Sequence, residues 1–275
     1  LMKISAWHKS QGDTVEWCLP LDYYDIVYQS KVFDETYSPD IEWIPMADKI
    51  IKGGTGYGLN NTLPNEVEHI YPDYSLYGIS DTAYGFLSRG CPRGCEFCIV
   101  KDKEGKISEK VADLNEFWNG QKNIVLNDPN IIACKDREEL LIQLIDSKAN
   151  VDFNQGIDIR LMTEDLVDLF NRLKFKEIHF AWDKYNQKDL ILNKLELWKR
   201  KTKRKVSPVV YTIVNFDTTF KQDIERVELL KKLNMMPYIM IYNKEHCNKE
   251  YLRLQRYVNN RIIFKSVDNY YKYKE

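Results

Sequence analysis

From about residue 84 onward, short apolar runs alternate with longer segments whose apolar residues recur at helical spacing. The short runs predict strands, and the longer segments predict helices. The predicted strands cover residues 84–88, 123–127, 151–154, 177–182, 209–214 and 238–242. The predicted helices cover residues 111–119, 136–148, 163–173, 187–201, 219–234 and 248–259. Asp136 and Thr163 are the expected N-caps of two of these helices.

Six consecutive strand–helix units with short connections predict a parallel sheet, because the crossovers between parallel strands are right-handed. Six units are too few to close an eight-stranded barrel. We therefore predict an α/β fold in which residues 81–275 form a partial (β/α)6 barrel.

Residues 1–80 follow a different pattern and predict a small, separate α/β segment. A helical pattern over residues 1–9 precedes a predicted strand at 14–19, and apolar runs follow at 25–28 and 41–44. This order is that of the middle of an α/β unit, so we expect an opening strand ahead of Leu1.

Composition and charge exclude several classes of protein. The 275 residues carry 40 Lys and Arg against 41 Asp and Glu, so no global field attracts nucleic acid or acidic lipid. No run of about eighteen apolar residues predicts a membrane span. No basic-then-apolar leader is present, and the six cysteines are typical of a reducing compartment, so we expect a cytoplasmic protein.

Three cysteines lie in one short loop directly after the first predicted strand of the repeat. Cys91, Cys95 and Cys98 are spaced C-x3-C-x2-C, and two glycines and a proline between residues 90 and 94 oppose helix and strand. The loop can therefore direct three thiolates into one small volume. Three soft ligands without an obvious fourth indicate a cubane iron–sulfur cluster with one open iron.

Two other interpretations of these cysteines stay open. A structural zinc site needs a fourth ligand, and the candidates are isolated or distant in the sequence. These candidates are His69, Cys134, His179, His246 and Cys247. A disulfide would leave one of the three thiols unpaired.

Polar residues end the other predicted strands as well. The loop and these residues should meet at the carboxyl ends of the strands, where βα folds place their chemistry. The residues concerned are Asn127, Asp128, Gln155, Asp158, Arg160 and Asp183. Each has a structural alternative: Asn127 and Asp128 can start a turn before Pro129, and Asp158 with Arg160 can form an ion pair that braces the rim.

The loop, with Phe97 directly before its last cysteine, resembles the signature of the radical SAM superfamily. The resemblance implies a 4Fe-4S cluster whose fourth iron is chelated by S-adenosylmethionine (SAM). Reductive cleavage of SAM would give methionine and a 5′-deoxyadenosyl radical that abstracts hydrogen from a substrate. It also implies an electron donor such as flavodoxin or ferredoxin, whereas no residue selects the substrate.

The resemblance assigns cofactor-binding roles to the residues at the strand ends. Phe97 would pack near the adenine, or would be an apolar plug. Asn127 and Asp128 stand where the family usually has a Gly-Gly-Glu-like stretch that holds the SAM amino group. Asp158 could bind ribose hydroxyls and Arg160 a carboxylate. The full set of predicted cofactor-binding residues is Phe97, Asn127, Asp128, Gln155, Asp158, Arg160 and Asp183.

The segment 1–80 resembles the end of the Rossmann-like cobalamin-binding domain that precedes many radical SAM domains. The resemblance rests on the strand-then-Gly-Gly turn at residues 50–56. The Asp-x-His-x-x-Gly signature of that domain is absent from these residues, so we expect a degenerate relative and regard cobalamin as unlikely. A retained cobalamin would make the chain a methyltransferase.

Residues 199–205 hold six cations and could contact the phosphates of a nucleic acid. A solvated helix C-terminus has the same composition, because cations complement the helix dipole there. The run should also lie on the face opposite the cysteines. The alternative to a radical SAM enzyme is therefore a non-enzymatic protein: a zinc or iron–sulfur module that binds nucleic acid through residues 199–205.

Overall fold

The computed structural model describes residues 1–274. Its strands are β1 (Tyr23–Ser30), β2 (Met46–Gly53), β3 (Thr82–Gly85), β4 (Ser88–Arg89), β5 (Glu109–Lys110), β6 (Asn123–Leu126), β7 (Asn150–Phe153), β8 (His179–Ala181), β9 (Val209–Val214) and β10 (Met236–Ile241). Its α-helices are α1 (Met2–Ser10), α2 (Asn65–Glu68), α3 (Val100–Lys103), α4 (Arg137–Ser147), α5 (Glu164–Arg172), α6 (Lys188–Lys201), α7 (Phe220–Lys232), α8 (Lys249–Asn259) and α9 (Arg261–Ser266).

Six parallel strands follow one another in chain order. Strands β3, β6 and β7 form one sheet, and β8, β9 and β10 form another. Parallel bridges from Asn150 to Lys174 and from Ile157 to Phe180 join the two sheets. The structure is α/β with parallel strands, and no closed barrel forms within residues 1–274. The partial barrel of the radical SAM type stays a prediction.

Strand residues alternate between a face buried under helices and an inner face. In β7, Val151 and Phe153 are buried, whereas Asp152 is exposed. The buried face contacts an aromatic group in which Trp198 of α6 lies edge-on to Phe170 of α5 and Phe180 of β8, at centroid distances of 5.9 and 5.2 Å. This group holds α5 and α6 against β8.

Side-chain caps start two of the covering helices. Thr163 accepts a hydrogen bond from the Leu166 amide at 3.3 Å, as its sequence position predicted. Thr219 and Gln222 form a capping box at the start of α7. Asp136 occupies the predicted N-cap position of α4 but its side chain makes no capping hydrogen bond.

Two predicted elements are wrong. Residues 14–19 form no strand, because no neighbouring strand pairs with their backbone; Trp17 instead donates its indole N–H to the Leu76 carbonyl at 2.9 Å. The helix predicted at 111–119 is a single 3-10 turn, Leu114–Glu116, closed by a capping box from Asp113 and followed by Gly120 at φ +90°.

The N-terminal segment is a two-stranded unit. Strands β1 and β2 pair in parallel and, among residues 1–274, only with each other. His8 of α1 hydrogen-bonds to Tyr28 of β1 at 2.8 Å, which places the helix on the strand pair. Tyr74 connects the segment to the following sheet, since its hydroxyl accepts from the backbone amide of Tyr84 in β3 at 3.0 Å and donates to the Phe117 carbonyl at 2.7 Å.

Helices within residues 1–274 are all either too short or too polar to cross a lipid bilayer.

The aromatic core should dominate the stability of the sheet–helix unit. We expect Phe170→Ala, at a fully buried position, to lower the free energy of unfolding by about 3–5 kcal/mol, because it leaves a cavity beside Phe153 of β7 and Trp198 of α6. Leu190→Ala, at a position that is 46% exposed on α6, should cost less than about 1 kcal/mol. Urea unfolding followed by circular dichroism measures both, and equal costs would contradict the prediction.

Candidate metal and cofactor site

The cysteine loop is held at its base by a short antiparallel pair. Arg89 of β4 faces Glu109 of β5, and the chain between them carries the cysteines and α3. Gly90 has φ +91°, and a Cβ at this position would lie 1.9 Å from the Ile107 carbonyl oxygen. Only glycine therefore allows the two arms of the loop to approach this closely.

The three thiols of the loop are free and half-buried, and they lie in one region. Burial raises the pKa of Cys95; the charge of Asp183 and the two neighbouring thiols add to this effect, whereas Arg160 opposes it. Within residues 1–274, however, no three His, Cys, Asp or Glu side chains stand close enough together to hold a metal ion.

The donor set itself fits an iron–sulfur cluster. Thiolates are soft ligands, and one loop supplies three of them. A structural zinc ion would need a fourth protein ligand in tetrahedral geometry.

Asp158 connects the cysteine loop to the turn after β7. Its side chain is 6% exposed, and Arg93 of the cysteine loop donates to Oδ2. Asn130 donates to the same oxygen at 3.4 Å and lies 3.5 Å from Sγ of Cys91. Arg160 donates through Nε to Oδ1 at 2.6 Å. One carboxylate thus binds side chains from three separate parts of the chain: the cysteine loop, the loop after β6 and the turn after β7.

Asp158 is charged in this setting. Burial raises its pKa, but the hydrogen bonds and positive charges of Arg160 and Arg93 outweigh burial and leave the pKa below the ordinary range. Arg160 also donates through Nη1 to Gln187 at 2.9 Å. The ion pair between Asp158 and Arg160, one of the two alternatives from the sequence, is therefore present, while their contacts with SAM stay predictions.

Asp128 supports the backbone that leads into the loop. Its carboxylate accepts from the Leu87 amide at 2.9 Å and from the Ser88 hydroxyl at 2.6 Å. Burial raises the pKa of Asp128 to about 6, although these hydrogen bonds oppose the shift. The side-chain Oδ1 of Asn127 accepts from the side-chain Nδ2 of Asn154 at 3.1 Å. Asp128 thus lies at the start of the loop and already has backbone partners, whereas Asn127 contacts the turn after β7.

A fully buried ion pair on α7 shapes the ends of β8 and β9. Arg226 pairs with Asp223, and neither side chain is exposed to solvent. Its guanidinium donates to the carbonyls of Trp182, Asp183 and Ile213 at 2.6, 3.0 and 2.6 Å. Burial raises the pKa of Asp183, with Arg226 opposing the shift. Arg226 therefore fixes the backbone that presents Asp183 to Cys95.

Sequence reasoning missed Arg93, Asn130, Asp223 and Arg226. Arg93 lies inside the cysteine motif, and Asn130 ends the Asn-Asp-Pro-Asn stretch that follows a predicted strand. Both residues therefore lie within segments that the sequence had already marked as parts of the site. The only sign of the buried pair is the i,i+3 spacing of an acid and a base on a helix. That spacing is more typical of an exposed ion pair.

Aromatic rings connect the cysteine loop to the last two strands. Phe97 meets Phe216 edge-on, with centroids 5.3 Å apart, and Phe216 meets Tyr242 at 4.8 Å. Phe216 and Tyr242 follow β9 and β10, and Asn215 adopts φ +62° directly before Phe216. Phe97 is thus held at the carboxyl edge of the sheet.

Gln155 is the predicted site residue that lies apart from the others. It is exposed, and its side chain makes no hydrogen bond with the residues that the structure describes. The neighbouring Gly156 allows a close approach at φ +79°, since a Cβ there would lie 3.2 Å from the His179 carbonyl oxygen. The close approach at Gly156 brings the backbone against β8 and does not place Gln155 in the site. Asp158, Arg160 and Asp183, in contrast, lie near Cys95.

The basic run at 199–205 ends α6 and precedes β9, so it lies at the amino edge of the sheet, opposite the cysteines. Lys201 pairs with Glu164 at 2.8 Å. The Arg204 guanidinium lies over the Phe175 ring at 5.0 Å. Part of the run therefore serves local packing, and nucleic-acid binding stays a prediction.

Comparison with known proteins gives one distant likeness that bears on this site. A CDK5RAP1-like protein of Oryza sativa subsp. japonica is 28% identical to this chain over 148 residues, which are 48% of the chain and 24% of the relative. The match thus spans about a quarter of that relative's length. No family model matches the chain.

The raised pKa of Asp128 predicts a pH dependence of stability. Its pKa is about 6 when folded, against about 3.9 when unfolded, so the folded state binds the proton more tightly. The free energy of unfolding should therefore fall as the pH rises from about 4 to about 6, by roughly 2–3 kcal/mol. Asp128→Asn should lack this component, so wild type should lose stability relative to the variant over that range. Urea unfolding at several pH values measures the difference, and a constant difference would contradict the assignment.

Asp158 should control the mobility of the cysteine loop. Asp158→Asn removes a charged hydrogen-bond partner of Arg93 and Arg160, which is worth about 1.5–3 kcal/mol. We expect amide hydrogen exchange in residues 91–98 to become at least about tenfold faster. Asp146→Asn, at an exposed position on α4, is the matched control and should leave that exchange unchanged. Unchanged exchange in the Asp158 variant would refute the role.

Proposed function

We propose that this protein is a radical SAM enzyme. In this proposal it binds a 4Fe-4S cluster, cleaves SAM reductively to a 5′-deoxyadenosyl radical and abstracts hydrogen from a substrate that is not identified. The observation that carries the proposal is the C-x3-C-x2-C loop, tied by Arg93 and Asp158 to the carboxyl edge of parallel strands. The distant CDK5RAP1-like relative supports it.

Cys91, Cys95 and Cys98 would be the cluster ligands. When bound, the cluster supplies an open iron for SAM and the electron that cleaves it, which a flavodoxin or ferredoxin would provide. Arg93 and Asn130 keep the loop against Asp158.

Asn130 offers a further polar contact in this region. Its Oδ1 is buried and has no hydrogen-bond partner, while its Nδ2 lies 3.5 Å from Sγ of Cys91. Buried acceptors are normally paired in native proteins. This oxygen would accept from the SAM ammonium group, which is a donor with no acceptor capacity.

The remaining predicted residues would form the SAM pocket. Phe97, held against Phe216, would face the adenine. Arg160 uses Nε and Nη1 within the protein, and its Nη2 has no hydrogen bond to the described residues, so Nη2 would bind the SAM carboxylate. Asp183 and Asn127 complete the pocket from neighbouring strand ends. Asp128, Asp158 and Gln155 are the other proposed pocket residues.

Anaerobic reconstitution with iron and sulfide tests the proposal. We expect a brown protein with a broad visible absorption band that converts SAM to 5′-deoxyadenosine on reduction. Cys91→Ala, Cys95→Ala and Cys98→Ala should each reduce this conversion to background, because each removes one of three cluster ligands.

The chain provides its own matched controls. Cys18 and Cys247 are free and half-buried like the loop cysteines but lie outside the motif. Cys18→Ala and Cys247→Ala should keep wild-type iron content and SAM cleavage. A colourless, zinc-loaded wild type without SAM cleavage would overturn the proposal.

A further inference from the structure

The inner face of the sheet has an unusual composition for a barrel-like fold. In closed (β/α)8 barrels, bulky aliphatic side chains fill the interior. Here the positions that alternate with the helix-covered residues of β3, β6, β7 and β8 are mostly polar or aromatic. They include Thr82, Tyr84, Asn123, Asn150, Asp152 and His179. This face is therefore not a packed apolar core.

These side chains line a cavity of about 430 Å³ at the amino edge of the sheet. Thr82, Asn123 and Asn150 are the first residues of β3, β6 and β7 and stand next to one another in register. The cysteine loop leaves from the opposite edge. Tyr84 and Asp152 are the third residues of four-residue strands, so the cavity extends from the amino edge along the inner face, but no residue of the cysteine loop lines it.

Three polar groups that line the cavity lack partners among residues 1–274. The Asp152 carboxylate makes no hydrogen bond or ion pair, and the Tyr84 hydroxyl makes no hydrogen bond. The Nδ1 atom of His179 is buried and likewise unpaired. Asp152 and Tyr84 reach solvent, so water can pair with them, whereas the Nδ1 atom of His179 is buried and has no such partner. Because buried polar groups are nearly always paired in native proteins, this nitrogen indicates a missing ligand beside the free carboxylate.

The Asp152 carboxylate lies beside a pair of stacked aromatic rings. The His179 ring is stacked on Tyr211, with centroids 5.1 Å apart and an interplanar angle of 5°. Asp152 and His179 line the same cavity, so the carboxylate lies near this stack. Burial, and then the charge of Asp152, raise the pKa of Tyr211. Ring faces and carboxylates both attract cations, and a carboxylate pairs best with a planar, two-pronged donor.

We propose that this cavity binds a small planar organic cation of the amidinium or guanidinium class. Asp152 pairs with the cationic group, and the rings of Tyr84 and His179 contact the planar body. Glu177, a second carboxylate of the cavity, already pairs with Arg261 at 3.0 Å. Lys176 also lines the cavity, but it is exposed and its long side chain can turn into solvent. The site needs neither iron nor SAM, so it does not depend on the proposed function.

Calorimetric titration of the full chain with benzamidine tests the proposal, with the neutral analogue benzamide as the matched ligand control. We expect saturable benzamidine binding with a Kd of about 1 mM or lower, and benzamide binding at least about tenfold weaker. Asp152→Asn should weaken benzamidine binding at least about tenfold. Asp168→Asn, at an exposed position on α5, should leave the affinity unchanged.

A second pair of variants tests the aromatic contact. Tyr84→Leu should weaken benzamidine binding severalfold, and Tyr84→Phe should keep it, because the ring face and not the hydroxyl meets the cation. Circular dichroism confirms that each variant is folded. Absence of saturable binding, equal affinity for both ligands, or an affinity unaffected by Asp152→Asn would overturn the proposal. Because no iron or SAM is added, such a failure leaves the SAM-cleavage test untouched.

Discussion

The carboxylate of Asp158 is the point on which the candidate site depends. It is nearly inaccessible to solvent, and it stays charged because Arg160 and Arg93 meet its two oxygens. A buried charge that loses its partner is costly, so this contact favours a single arrangement of the groups that supply it. Those groups come from the cysteine loop, from the turn after β7 and, through Asn130, from the loop after β6. The position of Cys91 relative to the sheet follows from that convergence.

A second buried charge, that of Arg226, holds the strand ends of the other sheet, which contains β8, β9 and β10. The Arg226 guanidinium takes up carbonyl groups that the ends of β8 and β9 leave without a strand partner, and Asp223 balances its charge. Arg160 of the first group and Asp183, whose backbone carbonyl the second group binds, both influence the pKa of Cys95. The carboxyl edge of the sheet is thus set by polar contacts, whereas the strands themselves are set by apolar packing against the helices.

The agreement between sequence and structure follows the range of the interactions involved. Strand β9 was predicted at residues 209–214 and lies there. The ends of α5, α6 and α8 each lie within one residue of the predicted ends. Their patterns repeat within one element, so neighbouring residues carry the whole signal. The strand predicted at 14–19 failed because a strand requires a partner, and the sequence does not say where one is. The helix predicted at 111–119 failed because one local capping box closed a shorter turn.

The sequence by itself determined the α/β class, the order of the parallel strands and the three thiols in one glycine-containing loop. These properties depend on local periodicity and on residue spacing. Only the tertiary structure decided which charges are buried and what they contact: that Asp158 reaches back to Arg93, that Arg226 lies under two strand ends, and that Asp152 is left without a partner. Asp158 and Arg93 are 65 positions apart, and Arg226 and Trp182 are 44 positions apart. Contacts over such separations form only when the whole sheet folds, because burial is a property of the packed chain and not of the segment.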